Sequence, residues 1–130
     1  MKNILFVCIE NACRSQMAEA FANMHGHEVL KACSAGSQPS GAVSDKAVRA
    51  MREIGYDLST HTSKSVDEIP DMEYDIVITM GCGDACPSVR AKQRREWSIP
   101  DPRDMDMEEF NAVRDEIERQ VLFLVAELKQ

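Results

Sequence analysis

The sequence predicts an α/β protein in which a parallel sheet of about four strands is sandwiched by helices. Three observations predict it. The run Ile4-Leu5-Phe6-Val7 and the run Asp75-Ile76-Val77-Ile78-Thr79-Met80 have the unalternating apolar character of strands buried on both faces. Amphipathic helical segments separate and follow them, in the order β-α-β-α-(α)-β-β-α. The chain has 130 residues, the size of one domain, and residues 1–130 contain no repeat, low-complexity segment or linker.

Each element has its own warrant. Residues 4–7 form the first strand. Met17, Ala18, Phe21 and Ala22 recur at helical spacing, and Gly26 is placed to stop that helix. Residues 28–33 form a second strand that ends at Ser34-Ala35-Gly36. A loop with Pro39 inside it follows, over residues 36–41. Ala47, Val48, Met51 and Ile54 mark a second helix, with Gly55 just past its end. Ser65-Val66-Asp67-Glu68 has capping-box form and opens a short third helix. Residues 75–80 are the next strand, 81–95 read as loop, and Trp97-Ser98-Ile99 as a short last strand. Phe110, Val113, Ile117, Val121, Leu124 and Leu128 form an apolar stripe along a C-terminal helix. Asp106, three residues before Glu109, is its cap.

Composition excludes several classes of function. Lys plus Arg is 15 and Asp plus Glu is 22, a net charge of −7, which disfavours nucleic acid or an anionic membrane as partner. No segment approaches the ~20 apolar residues of a membrane span, and the N-terminus lacks a signal-peptide core. These features, with the small size and acidic surface, point to a cytoplasmic monomer. Five cysteines, Cys8, Cys13, Cys33, Cys82 and Cys86, are an odd number for a static disulfide framework and read as free, catalytic or metal-binding thiols.

In a parallel sheet ligands sit at the carboxyl ends of the strands. Both cysteine clusters follow strands, so both are directed to that edge. The segment Cys8-Ile9-Glu10-Asn11-Ala12-Cys13-Arg14-Ser15 runs from a strand into a helix. Backbone amides at a helix N-terminus form a concave anion site, and the same field favours thiolate over thiol at Cys8. The Arg14 guanidinium can hold two oxygens of a tetrahedral oxyanion. Ser15 can donate its hydroxyl to the Cys8 sulfur, and Asn11 can brace the loop or reach that sulfur. A bare C-x5-R is weak, since Cys8 as a small buried hydrophobe and Arg14 as a surface charge would also satisfy it. Its place between a buried strand and an amphipathic helix strengthens it.

Cys82 and Cys86 form a C-x3-C pair that can close a small disulfide loop, with Gly81 and Gly83 supplying backbone freedom. The pair can act as a redox relay. Zinc is the competitor, but the sequence has no further C-x2-C or H-x3-H, and the metal expectation is none. No cofactor is expected. Asp101 lies between two prolines; a carboxyl held on such a loop can protonate a departing oxygen, or be a plain turn aspartate.

These residues carry a resemblance. Val7-Cys8-Ile9-Glu10-Asn11-Ala12-Cys13-Arg14-Ser15-Gln16-Met17-Ala18-Glu19 resembles the signature of the low-molecular-weight tyrosine phosphatase fold. Its Arg-Ser-Gln-Met-Ala-Glu run is similar to the thioredoxin-coupled arsenate reductase branch. The resemblance extends through Ser34-Ala35-Gly36, His61-Thr62-Ser63, residues 79–87, Trp97-Ser98-Ile99-Pro100-Asp101-Pro102 and residues 109–117. It implies the following roles. Cys8 is the nucleophile, residues Ile9, Glu10, Asn11, Ala12, Cys13, Arg14 and Ser15 complete the anion cradle, and Asp101 is the general acid. Cys82 resolves the arsenylated Cys8, and Cys86 then forms the Cys82–Cys86 disulfide that thioredoxin reduces. Arsenate is the implied substrate, with phosphate and sulfate as competing anions. A glutaredoxin or another thiol could substitute for thioredoxin as donor.

Some relatives hold potassium beside the anion loop. The matching positions are Asn11, Glu19, Ser34 and Thr62, but Lys64 stands where those relatives carry an acid, which disfavours the ion. Two other readings stay open. A phosphatase would need Cys8, Arg14 and Asp101 but not Cys82 or Cys86; Arg103-Asp104-Met105 replaces the tyrosines that typically follow Asp-Pro in that branch. A thiol sensor or arsenite-binding module would use Cys8, Cys82 and Cys86 as soft ligands without catalysis. Arg90, Lys92, Arg94 and Arg95 form a basic run, read as a solvated loop or as a flap that draws in the anion or meets thioredoxin. Cys13 reads as a spectator and Cys33 as core; His25, His27 and His61 have no ligand-like spacing.

Overall fold

The computed structural model describes residues 1–81 and 89–130; Cys82 and Cys86 lie outside the described residues. Four strands, β1 (Lys2–Cys8), β2 (Leu30–Gly36), β3 (Tyr74–Thr79) and β4 (Ala91–Glu96), form one sheet in the order β2-β1-β3-β4, and every pairing is parallel. The helices are α1 (Arg14–Gly26), α2 (Asp45–Arg52) and α3 (Met107–Leu128).

β1 is central and buried on both faces, as its apolar run predicts. Alternate residues feed separate cores. Ile4 and Phe6 pack with Met17 and Phe21 of α1, Met51 of α2, and Phe110 and Ile117 of α3. Leu5 and Val7 pack with Ala35, Tyr74 and Val77, and Val66, Ile69 and Met72 cover that face. Phe6, Phe21 and Phe110 are fully buried, each contributing about 2–3 kcal/mol by removal from water.

The caps follow the sequence. The Asp106 carboxylate accepts from the Glu109 amide at 2.9 Å and starts α3. Ser65 and Glu68 make the reciprocal capping box, although the turn they open, Val66–Glu68, is a 3₁₀ turn rather than an α-helix. A second 3₁₀ turn, Leu58–Thr60, has no signal beyond the short-range cap of Asp57.

One element lies elsewhere than the sequence predicts. The side-chain pattern predicts loop over residues 91–96 and a last strand at residues 97–99. The structure makes Ala91–Glu96 the strand and leaves Trp97 as its continuation, where the Trp97 amide donates to the Thr79 carbonyl at 2.9 Å. The physical reason is that β4 is an edge strand. Its backbone pairs with β3 on one side only, so its side chains need not be apolar, and charge there discourages pairing with another chain. The basic residues are correspondingly engaged. Arg95 makes two bonds to the Glu127 carboxylate, at 2.9 and 2.6 Å, Lys92 lies 3.5 Å from Asp75, and Arg90 lies 3.2 Å from Asp71. Lys92, Arg94 and Arg95 therefore belong to a charged sheet edge, and Arg90 lies just before it.

Register sets the site. Cys8 pairs with Gly36, Val7 with Thr79, and Thr79 with Glu96, so all four strands end at one level. The described segments that follow β1, β2 and β4, together with Met80 and Gly81 after β3, leave the sheet at that edge. Among the described residues, no helix is long and apolar enough to cross a membrane.

Candidate active site

The loop over residues 9–13 is shaped by where its carbonyls go. Ile9 O accepts from the Gln38 amide at 2.8 Å, and Ala12 O from the Ser44 amide at 3.0 Å. Glu10 O accepts from the Ser40 amide and the Ser63 hydroxyl, both at 3.0 Å. Asn11 O accepts from the Gln16 side chain at 3.1 Å. Each of these carbonyls is thus drawn outward. In a trans peptide the N–H points opposite its C=O, so the amides of residues 10–13 turn into the concavity. The α1 N-terminus has no side-chain cap, which leaves its first amides to the same concavity.

Asn11 holds the turn. Its φ is 51°, the left-handed region that asparagine tolerates better than most residues. It is fully buried, and its side-chain oxygen accepts from the Lys64 amide and from Gln16, both at 2.8 Å. A backbone amide can only donate, so the Asn11 NH₂ must face Ser15, to which it donates at 2.8 Å. The Ser15 hydroxyl hydrogen is then free for Cys8, whose sulfur is 2.9 Å away. Ser15 therefore reaches the sulfur as expected, and Asn11 acts one step back, through Ser15.

Arg14 closes the other side. It is buried, and its Nη1 donates to the Ile99 carbonyl at 3.1 Å. Its Nη2 lies 3.9 Å from an Asp101 oxygen. The Asp101 carboxyl is half exposed and accepts from the Arg103 amide at 3.0 Å, an orientation that holds it at the rim. Cys8, Arg14, Ser15 and Asp101 therefore converge, although Cys8 and Asp101 are far apart in sequence.

Two glycines make this convergence possible. A Cβ at Gly36 would lie 2.6 Å from Ile9 O and 2.9 Å from the Asn11 nitrogen, so only glycine lets β2 end against the anion loop. Gly81 has φ +77°, and a Cβ there would clash with Arg14 Nη1. Gly81→Ala should thus displace the guanidinium and weaken binding of a competing oxyanion by about tenfold or more. Phosphate affinity measured by calorimetry checks this; unchanged affinity would contradict it. The sequence marks Gly81 for backbone freedom, whereas its close approach to Arg14 has no sequence signal.

The potassium candidates are also brought together, around Lys64. The Ser34 hydroxyl donates to Glu19 at 2.6 Å, and the Lys64 ammonium lies 3.9 Å from the same carboxylate and donates to Thr62 O at 3.1 Å. His61, whose spacing suggests no role, packs here: one ring nitrogen is 3.0 Å from Gln16 Oε1 and the other 2.6 Å from the Tyr56 hydroxyl. Burial pushes its imidazole below the usual value, opposed by the nearby Glu19 carboxylate. Gln16 escapes sequence reasoning. It joins Asn11, Thr62 and His61, contacts that a polar side chain in a helix does not announce.

Burial raises the Cys13 thiol above its ordinary value, partly opposed by a bond to Ser44, so it stays protonated near neutral pH. Burial likewise raises Cys33, which packs against the second core. A cavity of about 460 Å³ lined by Val66, Ile69, Met72 and Val89 contains none of the predicted site residues.

A parallel α/β sheet that ends in a thiol, inside an amide-lined loop closed by arginine and aspartate, defines a cysteine-dependent enzyme class acting on tetrahedral oxyanions. The chain belongs to the low molecular weight phosphotyrosine protein phosphatase family, whose profile matches residues 3–130. It is similar to an arsenate reductase of Staphylococcus aureus (strain bovine RF122 / ET3-1), 42% identical over 120 residues that cover 89% of this chain and 90% of the relative. It is similar as well to a glutaredoxin arsenate reductase of Synechocystis sp., 36% identical over 131 residues, 98% of this chain and 99% of the relative. Among solved structures, an arsenate reductase in the phosphate binding state superposes with a TM-score of 0.89 at 36% identity, covering 98% of this chain and 99% of the other.

Proposed function

We propose that this chain reduces arsenate to arsenite and recovers its thiols through an internal disulfide relay. The observation that carries the reading is the convergence of Cys8, Ser15, Arg14 and Asp101 on one amide-lined loop, in a chain similar to arsenate reductases. The Cys8 thiolate attacks arsenic(V) held by the loop amides and Arg14. A sulfur–arsenic bond forms, and Asp101 gives its proton to the departing hydroxide. The Cys82 thiolate then attacks the Cys8 sulfur. The sulfur–arsenic bonding pair stays on arsenic, which leaves as arsenite, and Cys8 and Cys82 become the oxidised pair. Cys86 attacks Cys82, frees Cys8, and leaves a Cys82–Cys86 disulfide for the external reductant. Phosphorus(V) accepts no electron pair under these conditions, so phosphate and sulfate only compete for the loop.

Thioredoxin is the proposed donor, acting on a cytoplasmic monomer. The similarity to a protein named a glutaredoxin arsenate reductase makes glutaredoxin the donor to test against it. The test of the whole reading is a disulfide map after a single turnover. Reduced protein, freed of reductant, is given arsenate without oxygen, and its thiols are then blocked. A Cys82–Cys86 cross-link with one arsenite per chain is expected; no loss of thiol, with ester hydrolysis in parallel, would move the assignment to a phosphatase. Cys86→Ser should stop after at most one turnover with thioredoxin alone. Sustained thioredoxin-driven turnover by that variant would defeat the relay order.

Lys64 is proposed to stand in for the cation that some relatives hold, because its ammonium is already placed among Glu19, Ser34 and Thr62. Turnover should accordingly be indifferent to exchange of potassium for a larger organic cation. A several-fold gain with potassium would overturn this.

A further inference from the structure

We propose that Glu10 and Arg103 form an ion-pair latch on the leaving-group side of the anion loop, and that this latch selects a small free oxyanion over an ester. The proposal deepens the arsenate reading and rests on it. A carboxylate inside an anion-binding loop is at first unfavourable, because it repels the substrate. Glu10 is answered by Arg103, whose Nη1 lies 3.1 and 3.0 Å from its two carboxylate oxygens. The Glu10 backbone is fixed by Ser40 and Ser63, so the side chain leaves the loop at a set point.

Arg103 is two residues past Asp101, and its amide donates to the Asp101 carboxylate at 3.0 Å. The pair therefore stands beside the group proposed to protonate the leaving oxygen. Whatever that oxygen carries must project past Asp101. In arsenate it carries only hydrogen. In an ester it carries an alkyl or aryl group, which meets the pair. Lys46 of α2 holds the same segment from behind, donating to Arg103 O at 3.0 Å and Met105 O at 2.6 Å. The loop is thus tied to α2 on one side and to the anion loop on the other.

The Arg103 and Glu10 side chains are 58% and 40% exposed, so the pair can open at modest cost. The selection it imposes is correspondingly small. Its test uses the full chain, with para-nitrophenyl phosphate as the ester probe and single-turnover arsenite release as the reference. Arg103→Ala and Glu10→Gln should each raise kcat/KM for the ester about two- to fivefold, the range an exposed pair can carry. Exchange of the charges, Glu10→Arg with Arg103→Glu, should bring it back. High salt should raise the ester rate of the parent chain and not that of the single variants. Arsenite release by Arg103→Ala should stay within about threefold of the parent and reports on its folding.

No gain in either single variant would overturn the latch. A gain in Arg103→Ala alone would overturn it too, since bulk and not the pair would then be responsible, as would an exchanged variant that stays fast on the ester. If the parent chain releases arsenite normally while ester rates do not respond, only the latch falls. If the parent chain releases no arsenite, the arsenate reading falls and the latch with it.

Discussion

Replacement of Cys8 by serine should lower arsenite release by at least about 10³-fold, to the level of a blank. The change is one atom, and two separate losses follow from it. A serine hydroxyl is a far weaker nucleophile than a thiolate, so the proposed attacking group is lost. An oxygen in that position also cannot take part in the proposed disulfide that would record the two electrons passed to arsenic. The cradle itself survives, because its shape comes from carbonyl bonds to Gln38, Ser40, Ser44 and Ser63 and from Asn11, none of which involves the sulfur. Phosphate should still bind Cys8→Ser with an affinity close to the parent's by calorimetry. Arsenite release from this variant above the blank, measured by arsenic speciation, would refute the assignment.

Asp101→Asn is the complementary case. The amide cannot give a proton to the departing hydroxide, and general-acid assistance is worth about 10²–10⁴ in rate. The substituted side chain retains an oxygen to accept from the Arg103 amide, so the loop position is kept. The chemical step followed by rapid quench should slow by about 10²-fold or more, while phosphate affinity changes little. The opposite pattern, weakened anion binding with an unchanged chemical step, would show that Asp101 acts only through its contact with Arg14.

Much of this protein is legible in its sequence, and the reason is locality. The unit from β1 through the anion loop into α1 is contiguous, so strand, cradle and helix can be read from neighbours: an unalternating apolar run, then Cys8 to Ser15, then Met17, Ala18, Phe21 and Ala22 at helical spacing. The Asp106 cap and the Ser65–Glu68 capping box are legible for the same reason, since both partners lie within three residues.

What escapes depends on partners distant in the chain. β4 reads as loop because its side chains are charged; only pairing of its backbone with β3 makes it a strand. Gln16 has contacts with Thr62 and His61 that nothing in its neighbours announces. Gly81 acquires its close approach from Arg14, and Glu10 its counter-charge from Arg103.

The sequence by itself therefore specified the candidate groups: a thiol, a guanidinium, a turn and the strand that delivers them, all given by adjacent residues. Tertiary structure decided how distant groups are placed around them. Asp101, Arg103 and Lys64 meet the anion loop only because parallel pairing ends every strand at one level and so gathers loops from across the chain at a single edge.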